Sequence, residues 1–216
     1  FDLLKSIHIK TPKKVELVKL NYSKKDKKTV EILLKNLKLK NKTLVGVHIS
    51  SPIPSRRWPL ERWASIFNYL LKKYPNLRII AVGANNEKEI IEKVRGFIQK
   101  EYQNKFFNLA GKLSLGQLIA LMSKFRLFLA NDGGPLHIAD AMDIPTLGIF
   151  GPETPIRYGL INKRSISLYK GHLLECSPCT KPYQGEWPRC NNPLCLKLIK
   201  TEEVLKNLKK MEKYLK

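Results

Sequence analysis

Between residues 43 and 150 the chain repeats one pattern, a short apolar run followed by a loop and an amphipathic helix. The runs lie at 44–49, 78–82, 106–109, 127–129 and 146–150. A strand that is apolar throughout, with no polar alternation, has to be covered on both faces. The intervening helices supply that cover. After Pro59, residues Trp63, Ile66, Phe67, Leu70 and Leu71 fall on one helical face. A second helix runs through Ile90, Ile91, Val94 and Ile98, a third opens at Ser114 with Gln117 three residues on, and a fourth starts at Pro135. The fold class expected is α/β, a Rossmann-like, doubly wound parallel sheet. Ligands on such sheets bind beyond the carboxyl ends of the strands, near the point where strand order reverses. Residues 50–57, 83–87, 132–137 and 151–154 all follow strands and are gathered there.

The most informative of these segments is Asn131-Asp132-Gly133-Gly134-Pro135-Leu136-His137. It reads as a strand end, a glycine turn and a helix whose first turn carries Pro135. Backbone N–H groups and the positive end of the helix then converge on one spot, which suits a phosphate. Glycine belongs where a backbone approaches an anion closely or bends through positive φ. Asp132 would accept hydrogen bonds from sugar hydroxyls or from amides of the turn. An ordinary strand-to-helix turn with an Asp cap explains the same residues. His137 fits either a contact to sugar or phosphate or a packed helix histidine, whereas His8, His48 and His172 show no partner pattern.

Residues 54–59 read Pro-Ser-Arg-Arg-Trp-Pro, so Arg56 and Arg57 could clamp a diphosphate through paired N–H groups. An exposed basic loop anchored by Trp58 is the other reading. No G-x-G-x-x-G follows the first strand and there is no P-loop, so dinucleotide and ATP-hydrolase functions lose support.

Forty Lys and Arg against 18 Asp and Glu give a formal charge of +22. Most of it is lysine spread over helix faces, which fits a solvated surface, anion steering or attraction to anionic head groups. Basic segments interleaved with aromatics are not evident, so nucleic acid is not an expected partner. No run of about 18 apolar residues occurs and no signal-peptide pattern opens the sequence, so a cytoplasmic chain is expected. It starts at Phe1, which suggests processing or a piece of something longer.

Residues 1–42 read as a connecting segment with a short extended piece at 15–20 and a helix carrying Val30, Leu33, Leu34 and Leu37. Residues 43–170 form the α/β domain, and 171–216 a cysteine-bearing loop with a last helix begun at Thr201. Cys176, Cys179, Cys190 and Cys195 are spaced C-x2-C, ten residues, then C-x4-C. That spacing admits a structural zinc, reduced thiols or disulfides, with a cytosolic setting against the last.

Taken together, several segments resemble glycosyltransferase family 9, the ADP-heptose:lipopolysaccharide heptosyltransferases. They are Ser55-Arg56-Arg57-Trp58-Pro59 with Glu61, Arg62 and Trp63, the Gly83-Ala84 turn with Glu87, residues 110–115, residues 131–139, and Pro145-Thr146 leading to Phe150-Gly151-Pro152. The resemblance covers roughly residues 43–200. It implies the carboxyl-terminal, donor-binding half of a GT-B fold. By position it assigns Asp132, Gly133 and Gly134, with Pro135 and His137 beside them, to the diphosphate and sugar. It assigns Arg56 or Arg57 to phosphate, the residues around Asn85 and Glu87 to the ribose, and Leu113 to the base, with Ser55 also counted in the donor site. Where the family usually has Ser or Thr, this chain has Gly133, so one side-chain hydrogen bond to phosphate is expected to be absent.

The implied reaction is inverting, metal-independent transfer of heptose from ADP-heptose to a lipopolysaccharide inner-core acceptor at the inner face of the inner membrane, with no catalytic cofactor. Arg56 and Arg57 would stabilise the leaving diphosphate. The catalytic base is expected in an amino-terminal half that this chain lacks. The alternatives are a non-catalytic nucleotide-sugar binder and a basic nucleic-acid module.

Overall fold

Along β1 (Thr43–His48) the two-residue period of a strand turns Val45 and Val47 to one face and Leu44, Gly46 and His48 to the other. The same division runs through β2 (Leu77–Ala81), β3 (Phe106–Asn108), β4 (Leu127–Asn131), β5 (Thr146–Phe150) and β6 (Ile166–Tyr169). In this computed structural model, which describes residues 5–10, 20–179 and 190–215, the six strands form one sheet. The order is β3-β2-β1-β4-β5-β6 and every pairing is parallel. The chain winds outward from β1 to β3, crosses back, and winds outward again from β4 to β6. The doubly wound sheet expected from the sequence is the one observed, with its switch point between β1 and β4.

The helices are α1 (Lys24–Asn36), α2 (Leu60–Lys73), α3 (Lys88–Phe97), α4 (Leu115–Met122), α5 (Gly134–Ala141), α6 (Pro155–Tyr158), α7 (Leu194–Lys197) and α8 (Thr201–Met211). On one face Val45, Val47, Ile79, Leu129 and Ile149 meet Trp63, Ile66, Phe67 and Leu70 of α2, Ile91 and Val94 of α3, and Val204 and Leu208 of α8. On the other, Leu44, Ile80 and Phe128 meet Val30 of α1, Leu121 of α4, and Leu136 and Ala139 of α5. Burial of each large apolar side chain contributes about 1.5–3 kcal/mol, so both layers are integral to stability. Gly46 permits a close approach, since a Cβ there would stand 2.3 Å from the Phe125 ring.

Elements from the two flanking segments join these layers. Helix α1 packs through Val30, and its start is fixed by a capping box between Ser23 and Asp26. The carboxyl-terminal segment is stapled to α2 and the loop before it. The Trp58 indole donates to the Ile199 carbonyl at 2.9 Å, and Arg62 donates to the Lys197 and Ile199 carbonyls at 2.8 and 2.7 Å. Lys73 and Tyr69 both reach Glu212 at 2.6 Å.

Strand β6 adds to the five apolar runs. As an edge strand with only Leu168 of its four residues buried, it lacks the continuous apolar signature of the central strands. The box at Ser114 and Gln117 forms as its sequence predicts. Of the expected extended piece, residues 15–19 lie outside the described residues, and Leu20 is irregular.

Candidate functional site

A cleft of about 550 Å³ opens at the carboxyl edge of the sheet, across the switch point. Its walls come from the ends of β1, β2 and β4 and from the turns that follow them: His48, Ser51 and Arg56; Val82, Gly83 and Glu87; Asp132, Gly133, Gly134 and Pro135. Leu109, Leu113, Leu115 and Leu118 make one side apolar. Helix α5 begins in this wall at Gly134. Among the described residues no side chain caps it, so its amide end is left for an acceptor from outside.

Of the two reasons for glycine in this turn, close approach and positive φ, the second does not apply. Gly133 is extended (φ 172°), a conformation open to any residue, and a Cβ on Gly134 would meet nothing within 4 Å. What these glycines provide is space above the amides. Positive φ occurs instead at Gly111 (71°), where a Cβ would stand 2.7 Å from Asn85 Oδ1 and 2.8 Å from Asn85 Cα.

Two clusters of charge face the cleft. Arg56 lies 3.8 Å from Asp132 Oδ2 and 3.3 Å from Glu153 Oε1, while His137 Nε2 lies 3.3 Å from Asp132 Oδ1. Asp132 is thus held by side chains rather than capping the turn. The second cluster pairs His48 Nε2 with Glu87 Oε2 at 3.4 Å, and the Ala84 amide donates to the same oxygen at 2.7 Å. Burial by itself would raise the Glu87 carboxyl, but His48, the Ala84 amide and the nearby Ser50 hydroxyl outweigh it and hold the group at about 2. It is therefore a carboxylate at any ordinary pH.

The arginine loop owes its position to Asn131. Its Oδ1 accepts from the Trp58 amide at 3.2 Å, and its Nδ2 donates to the Ile49 carbonyl at 2.7 Å. One buried amide side chain so joins the ends of β1 and β4 to the loop. Trp58 is fully buried, which fixes the loop against the core.

Of the residues singled out by sequence, Arg56, Glu87, Leu113, Asp132, Gly133, Gly134 and Pro135 share the cleft wall. His137 reaches it through Asp132 and is half exposed, not packed in the core. Ser55 is buried beside the loop and Asn85 is exposed at its turn. Arg57 is turned aside, its Nε donating to the Ser51 carbonyl at 2.7 Å. His48, with no partner pattern in the sequence, has one here in Glu87, 39 residues away. The apolar residues Leu109 and Leu118 enter the site only through the fold, and Glu153, from the 151–154 segment expected at this edge, meets its partner Arg56 there.

The four cysteines are unpaired thiols, and among the described residues no group of three or more His, Cys, Asp or Glu side chains is arranged to hold a metal. Burial, with the neighbouring thiols, pushes Cys195 up to about 11. A larger hollow, about 810 Å³, lies at the opposite edge of the sheet, where strands begin; no strand-end turn faces it. Among the described residues no helix is long and apolar enough to cross a membrane.

A family model described as glycosyltransferase family 9 (heptosyltransferase) matches residues 4–186. Lipopolysaccharide heptosyltransferase 1 of Campylobacter coli is 25% identical over 192 residues, covering 86% of this chain and 52% of that relative. Among solved structures, an ADP-heptose lipopolysaccharide heptosyltransferase II from E. coli superimposes with a TM-score of 0.73 at 19% identity, covering 93% of this chain and 55% of the other. A glycosyl transferase family 9 protein from Veillonella parvula DSM 2008 gives a TM-score of 0.77 at 23% identity, covering 97% and 57%. At these identities the structural likeness speaks to the fold. The chain spans about half the length of these relatives.

Proposed function

Because this chain belongs to glycosyltransferase family 9, the heptosyltransferases, we propose that it holds the donor side of a sugar transfer. The donor is a nucleoside diphosphate sugar, ADP-heptose by analogy with the E. coli relative, and the acceptor is the lipopolysaccharide inner core. One observation carries this reading. The amide end of α5 and the Arg56 guanidinium share a cleft wall with two carboxylates, Asp132 and Glu87. A nucleotide sugar presents both features that such a wall can recognise, an anionic diphosphate and flanking hydroxyl groups.

In this arrangement the diphosphate lies against Gly133, Gly134 and Arg56. Asp132 accepts from the sugar, Glu87 from the ribose, and Leu113 with its apolar neighbours covers the base. Transfer is inverting and needs no metal. An acceptor hydroxyl, deprotonated by a carboxylate, attacks the anomeric carbon, the glycosidic C–O bond breaks, and the electron pair leaves on the diphosphate. Arg56 and the α5 amides stabilise that growing charge, which is where binding energy accelerates the step. Glu87, Asp132 and Glu153 are each engaged by a cationic or imidazole partner, so the general base is assigned to none of them. Arg57 is a positioning residue for the loop. The basic surface of the chain draws it to anionic lipid at the cytoplasmic face of the membrane that carries the acceptor.

Calorimetric titration with ADP and ADP-sugars tests the reading. Saturable binding is expected, and Asp132→Ala and Arg56→Ala should each weaken it about tenfold or more, the scale of a charged hydrogen bond, without unfolding the domain. If both variants bind as the parent does, the donor site lies elsewhere. Transfer is then assayed with an amino-terminal acceptor domain supplied separately.

A further inference from the structure

His48 carries an imidazole nitrogen that the fold leaves unused. The residue is only 5% exposed and stands at the carboxyl end of β1, opposite Ala130 of β4 in the sheet register. Its Nε2 is engaged by Glu87. Its Nδ1 is buried and has no hydrogen-bond partner among the described residues. A buried nitrogen in that state is a cost that native structures avoid unless another group arrives to meet it. The direction it faces is set by its neighbour, since a Cβ added to Gly133 would stand 3.6 Å from Nδ1 and 3.5 Å from Cε1. The ring edge therefore looks into the space above the glycine turn, beside the amide end of α5.

We infer that His48 is a donor-binding residue, its imidazolium anchored on Glu87 through Nε2–H and donating Nδ1–H to an oxygen of the diphosphate. The inference rests on the donor-site reading above and adds to it a proton. A neutral ring that donates from Nε2 to Glu87 presents a lone pair at Nδ1, which an anionic oxygen does not approach. The contact forms only with the charged ring, so diphosphate binding and proton uptake at His48 are one event. The groups around the ring act in both directions. Glu87, from the turn after β2, and Asp132, from the turn after β4, favour the charged form, and the diphosphate joins them on binding. Arg56, from the turn after β1, opposes it, while the Ser50 and Ser51 hydroxyls are neutral.

The test is titration with ADP and with inorganic pyrophosphate near pH 7, in buffers of different ionisation heat, for the parent chain and for His48→Asn. The parent should take up more protons per bound ligand than the variant does, and the variant should bind each ligand about tenfold or more weakly, because a charged donor is lost. Adenosine, which lacks phosphate, should not discriminate between the two proteins. The parent ring gives a second measurement that needs no variant to fold: on saturation with ADP, the His48 Cε1–H NMR resonance should move to its protonated position. Equal proton uptake and equal affinity in the two proteins, or a His48 resonance unmoved by saturating ADP, overturns the role of His48 and leaves the donor site standing. Absence of saturable ADP and pyrophosphate binding by the parent overturns the donor site and this inference together.

Discussion

Gly111 and Gly133 sit on turns around the same cleft, yet the backbone requires glycine at only one of them. Gly111 adopts φ 71°, and any Cβ there would collide with Asn85, whose turn carries Glu87 into the site. Gly111→Ala should therefore cost at least about 1–2 kcal/mol, from the left-handed conformation alone. Gly133 is extended and has room for a side chain, so Gly133→Ser should change stability by less than about 0.5 kcal/mol. Thermal melts of the unliganded variants check both expectations. A large loss at Gly133, or none at Gly111, would show that the turn geometry has been misassigned. The sequence marked Asp132-Gly133-Gly134 as a strand-to-helix turn and gave two reasons for its glycines, close approach and positive φ, without choosing between them. Whether a glycine bends the chain or clears space depends on φ, and residue identity does not reveal φ.

At the level of elements, the arginine loop shows how the strand ends position one another. Asn131, the last residue of β4, holds the Trp58 amide and the Ile49 carbonyl, and so fixes where Arg56 stands relative to Asp132. Asn131→Ala leaves both buried backbone groups without partners and should cost about 1–3 kcal/mol. It should also weaken ADP binding, because Arg56 loses its fixed position. Chemical denaturation together with calorimetry checks this. Nucleotide affinity kept at the parent level would mean that Trp58 burial suffices to hold the loop. From sequence, Arg56 and Arg57 are equivalent neighbours. The turn at Pro54–Arg56 separates them, sending Arg56 to the cleft and Arg57 to the Ser51 carbonyl.

Over the whole molecule, stability is tied to carboxylates that must stay ionised. Glu87, at about 2, and Glu212, held below its usual range by Lys73 and Tyr69 against the opposing effect of burial, bind protons more readily in the unfolded chain than in the folded one. Their contribution is complete above the unfolded value and disappears as pH falls through the folded one. Stability should therefore decline between about pH 4.5 and 2, with Glu87 alone accounting for up to about 3 kcal/mol. Acid titration followed by circular dichroism measures this. Glu87→Gln should flatten the decline, and an unchanged acid profile in that variant would remove Glu87 from the explanation. The loss at Glu212 would also loosen the carboxyl-terminal helix from α2, since Lys73 and Tyr69 are its partners there.

The sequence by itself determined the layers of this protein, the edge of the sheet where the cleft opens, and the turn and arginine that line it. These follow from hydrophobic period and from the local chemistry of glycine, proline and helix ends, all of which act within a few residues. Only the tertiary structure decided which residues meet across that edge: His48 with Glu87, Asp132 with Arg56, and Asn131 with Trp58. Neighbouring strands of a parallel sheet are separated in the chain by whole crossovers. Contacts between their ends therefore depend on strand order and register, which no local pattern encodes.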